Sequence, residues 1–333
     1  MPAPERIRLH IKNNRDGEEL FRTTPERYRA AEARYPEIAK RVDVTIDWDL
    51  DNFETSISQA HALLTWELPT ENLAARAPEL RLIHTIGAGI EHLQPVDAWL
   101  PAAATLTNNR GVHAEKTGES AAMALLMLNN NMPKYATDQR AHRWDPQFAP
   151  TVAGKTVTLL GVGEMGGAAA EWFKRFGLRV LGVRRSGEAH PHADKIYPTA
   201  QILEAVAEAD FVHVTLPSTK ETNGMIDASV LDAMKPGAGI VNFGRAAVID
   251  HAALFDRLRS GHIGGAILDV HDPEPLPADA EVWDVPNLLV VPHVTSDDVE
   301  TYADLTLDLV FENIGRWIDG KAFRNRVDPV LGY

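Results

Sequence analysis

Three polar residues that could together move a proton on an anionic substrate each follow a short apolar run. Arg245 lies in GIVNFGRAAVID, Glu274 in GAILDVHDPEPLP and His293 in LLVVPHV. An arginine can bind a carboxylate through two parallel hydrogen bonds, and a histidine can donate or accept a proton near neutral pH. A glutamate beside that histidine would orient its ring. Taken singly, each could instead be a loop cap, a solvated acid or a satisfied histidine at a strand end.

A glycine motif upstream favours the catalytic interpretation. The segment KTVTLLGVGEMGG contains G-x-G-x-x-G as Gly161, Gly163 and Gly166. The first glycine allows a tight turn, the second lets a pyrophosphate approach the backbone, and the third lets a helix pack closely on the strand. The helix that begins at Glu164 and Met165 would offer free N–H groups to that anion. A glycine-rich turn without a ligand is the alternative, but a strand before the motif and a helix after it predict dinucleotide binding.

The next apolar run indicates which dinucleotide is bound. In this fold the second strand normally ends in an Asp or Glu that binds the ribose hydroxyls of NAD. Here LRVLGVRRS ends in Arg184, Arg185 and Ser186. Guanidinium and hydroxyl groups would bind a 2′-phosphate, which a carboxylate would repel. We therefore predict that NADP(H) is preferred over NAD(H); a solvated basic strand end is the alternative.

The elements that must position these residues are apolar runs alternating with helical patterns, as in α/β proteins. Continuous Val/Ile/Leu runs are typical of parallel strands covered on both faces. The candidate strands are 7–12, 42–48, 61–66, 80–87, 104–109, 155–161, 178–184, 210–217, 237–244, 264–270 and 287–294. One sheet rarely holds so many strands, and 111–154 reads as helical. We predict two doubly wound parallel-sheet domains.

The tail is predicted to be a helix that returns to the first domain. Apolar residues recur at helical spacing in TYADLTLDLVFENIGRWIDG, namely Leu305, Leu309, Ile314 and Ile318. Such a stripe needs a partner surface, so the first domain would be discontinuous in sequence.

Composition excludes several classes of function. The chain has 333 residues, a formal net charge of −14 and no cysteine, which rules out disulfides and thiolate metal sites and suits a reducing cytoplasm. The acidic balance argues against nucleic acid. The longest apolar run, 121–128, is far short of the ~20 residues that span a bilayer, and the N-terminus lacks the apolar core of a signal peptide. His190, His192 and Asp194 resemble metal ligands, but we expect a polar loop beside the cofactor and no metal.

At this point the chain resembles a known family. From about residue 60 to its end it is similar to the D-2-hydroxyacid dehydrogenases, through IGAGIEHL, LLGVGEMG, VTLPSTKETNGMID, MKPGAGIVNFGRAAVID, ILDVHDPEPLP and VVPHV in that order. The resemblance implies that Arg245, Glu274 and His293 are the catalytic residues. It implies a Rossmann cofactor domain, a flavodoxin-like substrate domain and a cleft between them. The substrate domain would be residues 1–107 with 294–333, and the cofactor domain residues 108–293.

The resemblance also assigns binding residues and a partner. Asp269 would hold the nicotinamide carboxamide, and the backbone N–H groups of Ala88, Gly89 and Ile90 would bind the substrate carboxylate. Further cofactor contacts are implied for Leu216, Pro217, Thr222, Phe243 and Gly244. A homodimer built on 111–135 is implied as well. His84, His92 and His113 would lie near the cleft with no role that the sequence assigns.

One branch of the family is the most similar. Trp66 followed by Pro69, the stretch PLPADAEVW and the chain end VDPVLGY resemble the NADPH-dependent glyoxylate/hydroxypyruvate reductases. This likeness implies reduction of a small 2-oxo acid to the (R)-2-hydroxy acid, with Trp66 at the substrate. Ala246 after the catalytic arginine, and TSDD (295–298) after the histidine, depart from the family pattern and leave the identity of the substrate open.

Two other functions fit the same scaffold. A formate- or phosphite-type dehydrogenase is one, although Glu274 argues against the formate enzymes, which carry a neutral amide there. A dinucleotide-sensing corepressor that recruits protein partners is the other, and it could keep all three catalytic residues. Turnover with glyoxylate would separate an enzyme from a sensor.

Overall fold

A computed structural model describes residues 2–330 of the chain. The chain forms two compact units. Residues 1–113 with 298–333 make up what we call the N-terminal unit, and residues 114–297 make up the central unit. The chain therefore crosses from one unit to the other twice.

The N-terminal unit is built on a five-stranded parallel sheet. Its strands are β1 (Ile7–Asn13), β2 (Val42–Trp48), β3 (Ala62–Thr65), β4 (Leu82–Thr85) and β5 (Thr105–Asn108), in the order β2-β1-β3-β4-β5. This is the flavodoxin-like order, and all five strands fall on predicted apolar runs. The helices before β5 are α1 (Pro25–Arg34), α2 (Pro36–Ala39), α3 (Phe53–Ile57) and α4 (Leu73–Arg76). Thr24 caps α1 by accepting a hydrogen bond from the Arg27 N–H.

The central unit is built on a seven-stranded parallel sheet. Its strands are β6 (Thr156–Leu160), β7 (Arg179–Val183), β8 (Lys195–Tyr197), β9 (Phe211–Val214), β10 (Ala238–Asn242), β11 (Ile263–Leu268) and β12 (Leu288–Val290). Their order is β12-β11-β10-β9-β6-β7-β8, which is the doubly wound arrangement of dinucleotide-binding folds. The prediction of two doubly wound parallel-sheet domains is thus confirmed. Strand β8 was not predicted, because it has three residues and only Tyr197 is buried.

Helices cover both faces of the central sheet. They are α5 (Ala114–Asn129), α6 (Met132–Arg140), α7 (Glu164–Arg175), α8 (Ile202–Ala207), α9 (Ala228–Ala233) and α10 (His251–Ser260). One core cluster contains Ala124 and Leu125 of α5, Phe173 of α7 and Val157 of β6. The sheet is therefore buried on the face that α5 and α7 cover, as its continuous apolar strands require.

The last helix, α11 (Tyr302–Ile318), belongs to the N-terminal unit. Leu307, Phe311 and Ile314 pack in the same core cluster as β1. The helical prediction for this tail is right, but Leu305 is 39% exposed, so the buried face includes Leu307 and Phe311 in its place. Among the described residues, no helix is both long and apolar enough to span a bilayer.

The two chain crossings lie close to the positions that the resemblance implies. Those positions follow residues 107 and 293, whereas the units divide after residues 113 and 297. Residue 109 stays with the N-terminal unit because the buried Asn109 side chain donates a hydrogen bond of 2.7 Å to Thr306 Oγ1. Thr295 stays with the central unit because its hydroxyl donates to Asp269 Oδ2 at 2.5 Å.

Candidate active site

The glycine motif forms the turn between β6 and α7. Gly161 has a φ of +98°, which favours glycine, and a Cβ on Gly166 would collide with the Gly161 carbonyl. Thr215 holds that carbonyl with a hydrogen bond of 2.9 Å. A Cβ on Gly163 would meet no atom within 4 Å, so open space lies beside the first turn of α7. These three environments fit a bound pyrophosphate.

Arg184, Arg185 and Ser186, which are predicted to select NADP(H) over NAD(H), directly follow β7. Arg184 is partly exposed, and Arg185 and Ser186 are exposed. The Arg184 guanidinium lies 4.0 Å from Glu188 Oε2, which is a long ion pair. Cations therefore stand at the strand end where a carboxylate would select NAD, and they fit a 2′-phosphate.

The loop that follows those arginines carries the histidines that resemble metal ligands. The His190 ring packs on Gly167 in α7, where a Cβ would lie 2.9 Å from Nε2. Asp194 is occupied by Lys174 and by the Val180 N–H. Within residues 2–330, no three His, Asp or Glu side chains are grouped to hold a metal ion.

His293 and Glu274 form a direct hydrogen-bonded pair. Nδ1 of His293 lies 2.9 Å from Oε2 of Glu274, and because a carboxylate only accepts, Nδ1 carries the proton. Oε1 of Glu274 accepts the His271 N–H at 2.7 Å. Partial burial would raise the pKa of Glu274, but the hydrogen bonds from His293 and His271 outweigh it and lower that pKa. The pair is ionisable, anchored and still accessible, since the two side chains are 45% and 38% exposed.

The backbone of His293 is unusual, which supports a functional role. Its φ is +55°, in the left-handed region that residues with a side chain seldom adopt. Asp269 fixes the segment that follows, because its Oδ1 accepts the Val294 N–H at 2.9 Å and its Oδ2 accepts the Thr295 hydroxyl. Burial raises the pKa of Asp269, and the hydrogen bonds from Thr295 and Val294 oppose that rise.

This anchoring by Asp269 was not predicted. Sequence reasoning noticed Thr295 only as a departure from the family pattern. The carboxamide role assigned to Asp269 stays a prediction.

Arg245 follows β10 in a loop that Asn242 organises. Oδ1 of Asn242 accepts the Gly244 N–H at 2.9 Å, and its Nδ2 donates to the Arg245 carbonyl at 3.0 Å. Gly244 has no room for a side chain, because a Cβ would lie 2.5 Å from the Leu216 carbonyl. The structure thus brings the predicted residues at 216 and 243–245 together. Asn242 is a supporting residue that sequence reasoning missed.

The remaining predicted cofactor residues lie beyond Leu216 in the loop that follows β9. The Thr222 hydroxyl donates a 2.6 Å hydrogen bond to the Pro217 carbonyl and is close to Thr219. Pro217 is exposed and Thr222 is partly exposed. Their contact with a cofactor stays a prediction.

The predicted substrate residues in the N-terminal unit also lie together. A Cβ on Gly87 would collide with the Trp66 indole, which stacks on His92 with ring centroids 3.9 Å apart. His92 Nε2 donates to the Trp66 carbonyl at 2.7 Å. The N–H groups of residues 88–90 form no hydrogen bond within the part of the chain that the structure describes. A turn with three such N–H groups can bind a carboxylate.

These features together define a nicotinamide-dependent oxidoreductase. They are a doubly wound parallel sheet with this glycine turn, a paired histidine and glutamate, and an arginine on neighbouring loops. Comparison with known proteins makes that class more specific. Residues 122–295 match the family model "D-isomer specific 2-hydroxyacid dehydrogenase, NAD binding domain". The chain belongs to the D-isomer specific 2-hydroxyacid dehydrogenase family, and the predictions of an enzyme and of this family are confirmed.

The similar proteins include reductases of small oxo acids. Glyoxylate/hydroxypyruvate reductase B of Pectobacterium carotovorum is 32% identical over 260 residues, covering 76% of this chain and 80% of that protein. Glyoxylate reductase of Korarchaeum cryptofilum is 31% identical over 262 residues, covering 76% and 77%.

Similar solved structures cover nearly all of the chain. A D-isomer specific 2-hydroxyacid dehydrogenase from Xanthobacter autotrophicus, in complex with NADPH and MES, has a TM-score of 0.81 at 28% identity and covers 99% of this chain and 100% of that one. An NADPH-dependent glyoxylate/hydroxypyruvate reductase from Sinorhizobium meliloti, in complex with NADP and sulfate, has a TM-score of 0.80 at 26% identity and covers 98% and 99%.

Proposed function

We propose that this 2-hydroxyacid dehydrogenase reduces a small 2-oxo acid such as glyoxylate or hydroxypyruvate to the (R)-2-hydroxy acid with NADPH. The observation that carries the proposal is the 2.9 Å pair of His293 and Glu274, in the unit that also holds the glycine turn and Arg245. The names of the Pectobacterium and Sinorhizobium relatives support the substrate class.

The side chains divide the chemistry between them. Bound NADPH supplies the hydride that carbon 2 receives. Because Nδ1–H of His293 is engaged by Glu274, Nε2–H is the group that donates a proton to the keto oxygen, and the Glu274 carboxylate stabilises the cationic ring before it does so. Arg245 binds the substrate carboxylate and stabilises the negative charge that develops on the oxygen. The N–H groups of residues 88–90 are proposed to bind the substrate carboxylate.

The cofactor preference is assigned to the end of β7. Arg184, Arg185 and Ser186 would bind the 2′-phosphate, because two guanidinium groups and a hydroxyl replace the carboxylate that NAD requires. The NADPH and NADP in the complexes of similar structures support this choice. Asp269 would hold the carboxamide with the accepting capacity that Val294 and Thr295 leave to it.

A substrate and cofactor panel tests the proposal. The purified protein is assayed with glyoxylate, hydroxypyruvate and pyruvate, each with NADPH and with NADH. We expect turnover with at least one of the first two acids and a higher kcat/KM with NADPH. Tight NADPH binding without turnover of any oxo acid would contradict the proposal and favour a dinucleotide sensor.

We also propose that the chain forms a homodimer through 111–135, extended by the segment that follows. Met123 of α5 and Met132 of α6 are 50% and 44% exposed, and Trp144 and Phe148 are 95% and 97% exposed. Several large apolar side chains exposed close together in the sequence indicate an interaction surface, and the same face of a second copy would bury them. Light scattering should give a dimer mass, and Trp144→Ser with Phe148→Ser should weaken it. A monomer at micromolar concentration would contradict the proposal.

A further inference from the structure

Three carbonyl groups of the turn after β4 accept hydrogen bonds from other parts of the N-terminal unit. The Ile86 carbonyl accepts the Tyr302 hydroxyl at 2.7 Å and also the Asn109 side-chain amide. The Gly87 carbonyl accepts the Asn109 backbone N–H at 3.1 Å. The Ala88 carbonyl accepts the Asn108 side-chain amide at 2.7 Å.

Fixing these carbonyls also fixes the N–H groups of the turn. In a planar trans peptide, the N–H points away from the carbonyl of the same peptide unit. The carbonyls of Gly87 and Ala88 point at Asn109 and Asn108, so the N–H groups of Ala88 and Gly89 point in the opposite direction. The buried asparagines therefore decide where the turn presents its donors.

A buried network in turn fixes Asn109. Its Nδ2 donates to Ile86 and to Thr306 Oγ1, and the Thr306 hydroxyl itself donates to the Tyr302 carbonyl at 2.9 Å. These two donations fix the orientation of the Asn109 side-chain amide. In that orientation Oδ1 faces Nε2 of His84, 2.8 Å away. Since Oδ1 accepts, His84 must carry its proton on Nε2.

His84 completes the network as a neutral ring. Its Nδ1 lies 2.8 Å from the Thr107 hydroxyl, which donates to it when the Nε2 proton faces Asn109. Burial lowers the pKa of His84 to about 4, so the ring stays uncharged at neutral pH. Asn109 and His84 are essentially inaccessible to solvent, so water does not compete for the hydrogen bonds of the network.

We propose that Asn109 and Tyr302 are positioning residues: by holding the Ile86 carbonyl they fix the start of the turn, whose N–H groups at Ala88 and Gly89 then face the substrate carboxylate. The inference rests on the proposed function, in which those N–H groups bind the oxo acid. A purely structural network would change stability when it is broken and leave substrate binding alone. A positioning network must change KM for the oxo acid selectively.

The test uses two matched deletions of a tyrosine hydroxyl. Tyr302 and Tyr28 are both 2% exposed and belong to the same core cluster. Within residues 2–330 the Tyr28 hydroxyl has no hydrogen-bond partner, whereas the Tyr302 hydroxyl bonds the turn. Tyr28→Phe therefore controls for the loss of one buried oxygen atom from this core.

We expect Tyr302→Phe to raise KM for the oxo acid about three- to tenfold, the value of one hydrogen bond. Its kcat should stay within about twofold of wild type, because the turn does not transfer the proton. The Kd for NADPH and all constants of Tyr28→Phe should be unchanged. Asn109→Ala removes the side-chain restraint on the Ile86 carbonyl together with the links to Thr306 and His84, while the backbone bond to Gly87 remains. This variant should raise KM further, with NADPH binding as the check that it is folded.

The outcomes separate this inference from the proposed function. If wild type turns over oxo acids and Tyr302→Phe shares the KM of wild type and Tyr28→Phe, the positioning role is overturned while the function stands. If wild type reduces no oxo acid, the proposed function fails and this inference fails with it. A KM that rises only in the Tyr302 and Asn109 variants supports the inference.

Discussion

The two units supply their candidate binding groups in different ways. In the central unit the groups are side chains, and the His293–Glu274 pair is nearly half exposed. In the N-terminal unit the groups are main-chain N–H donors, and the side chains that matter, such as Asn109 and Tyr302, are buried behind them. A side-chain site can therefore be predicted from its residue types. A main-chain site is recognised only from the buried side chains that hold its backbone in place.

Two buried histidines show the same contrast on a smaller scale. His84 of β4 and His213 of β9 are both 1% exposed. Both nitrogens of His84 are hydrogen-bonded, whereas neither nitrogen of His213 has a partner within residues 2–330. His213 lies instead between Phe173 and Phe243, with edge-on ring contacts of 5.7 and 5.1 Å. The His84 ring is part of the hydrogen-bonded network beside the turn after β4, whereas the His213 ring packs among aromatic side chains.

The largest effect should follow from the side-chain site. His293→Ala removes the proton donor and should lower kcat by roughly 10²–10⁴-fold. The Kd for NADPH, measured by fluorescence, should be unchanged, because the glycine turn is intact. His262→Gln, a change elsewhere in the central unit, is the control and should keep full activity. Near-normal turnover of His293→Ala would remove this histidine as the acid.

The next effect concerns the end of β7. Arg184→Asp replaces an attractive cation with a repulsive anion, so the ratio of kcat/KM for NADPH to that for NADH should fall on the order of 10²-fold. Arg259→Asp, which makes the same charge change on α10, should leave the ratio unchanged. A wild-type preference for NADH would refute the selector role of the arginines.

The buried histidines should make the folded protein sensitive to acid. Burial lowers the pKa of His213 to about 3. In the unfolded chain a histidine titrates near 6.5, so below that pH the unfolded state binds a proton that the folded state refuses. The free energy of unfolding is therefore unaffected by these histidines above pH 6.5. It falls as the pH drops below that value, by about 2 kcal/mol per such histidine at pH 5.

Replacing each histidine sharpens the comparison between them. His213→Leu should remove about 2 kcal/mol of the stability difference between pH 7 and pH 5 and leave KM unchanged. His84→Leu should remove a similar amount, but it also leaves Asn109 Oδ1 without its donor, so KM for the oxo acid should rise. Urea unfolding at both pH values and steady-state kinetics measure the two effects. Equal kinetics in both variants would mean that His84 does not support the turn.

The sequence predicted the strands well and the supporting contacts poorly, for a physical reason. Continuous apolar runs mark buried parallel strands, so β8, with one buried residue in three, was the strand that escaped. The approach of Glu274 to His293 followed from family motifs. The contacts of Tyr302 with the turn and of Thr295 with Asp269 join residues far apart in the chain, and only the packed fold brings them together.

The smallest effect is also the most specific to the paired site. Hydrogen bonds from His293 and His271 lower the pKa of Glu274, so its carboxylate is charged throughout the neutral range. Reduction requires the cationic form of the histidine, which that charge stabilises. Glu274→Gln keeps the shape of the side chain and removes the negative charge that stabilises the cationic ring.

The alkaline limb of the pH profile for reduction should therefore move to lower pH in Glu274→Gln. At pH 8 its kcat/KM should fall about tenfold relative to wild type, with a smaller loss at pH 6. Glu281→Gln, which removes an exposed carboxylate paired with Arg259, should leave the profile in place. A uniform loss of activity at all pH values would show that Glu274 only orients the ring, and its charge would then have no part in the proton transfer.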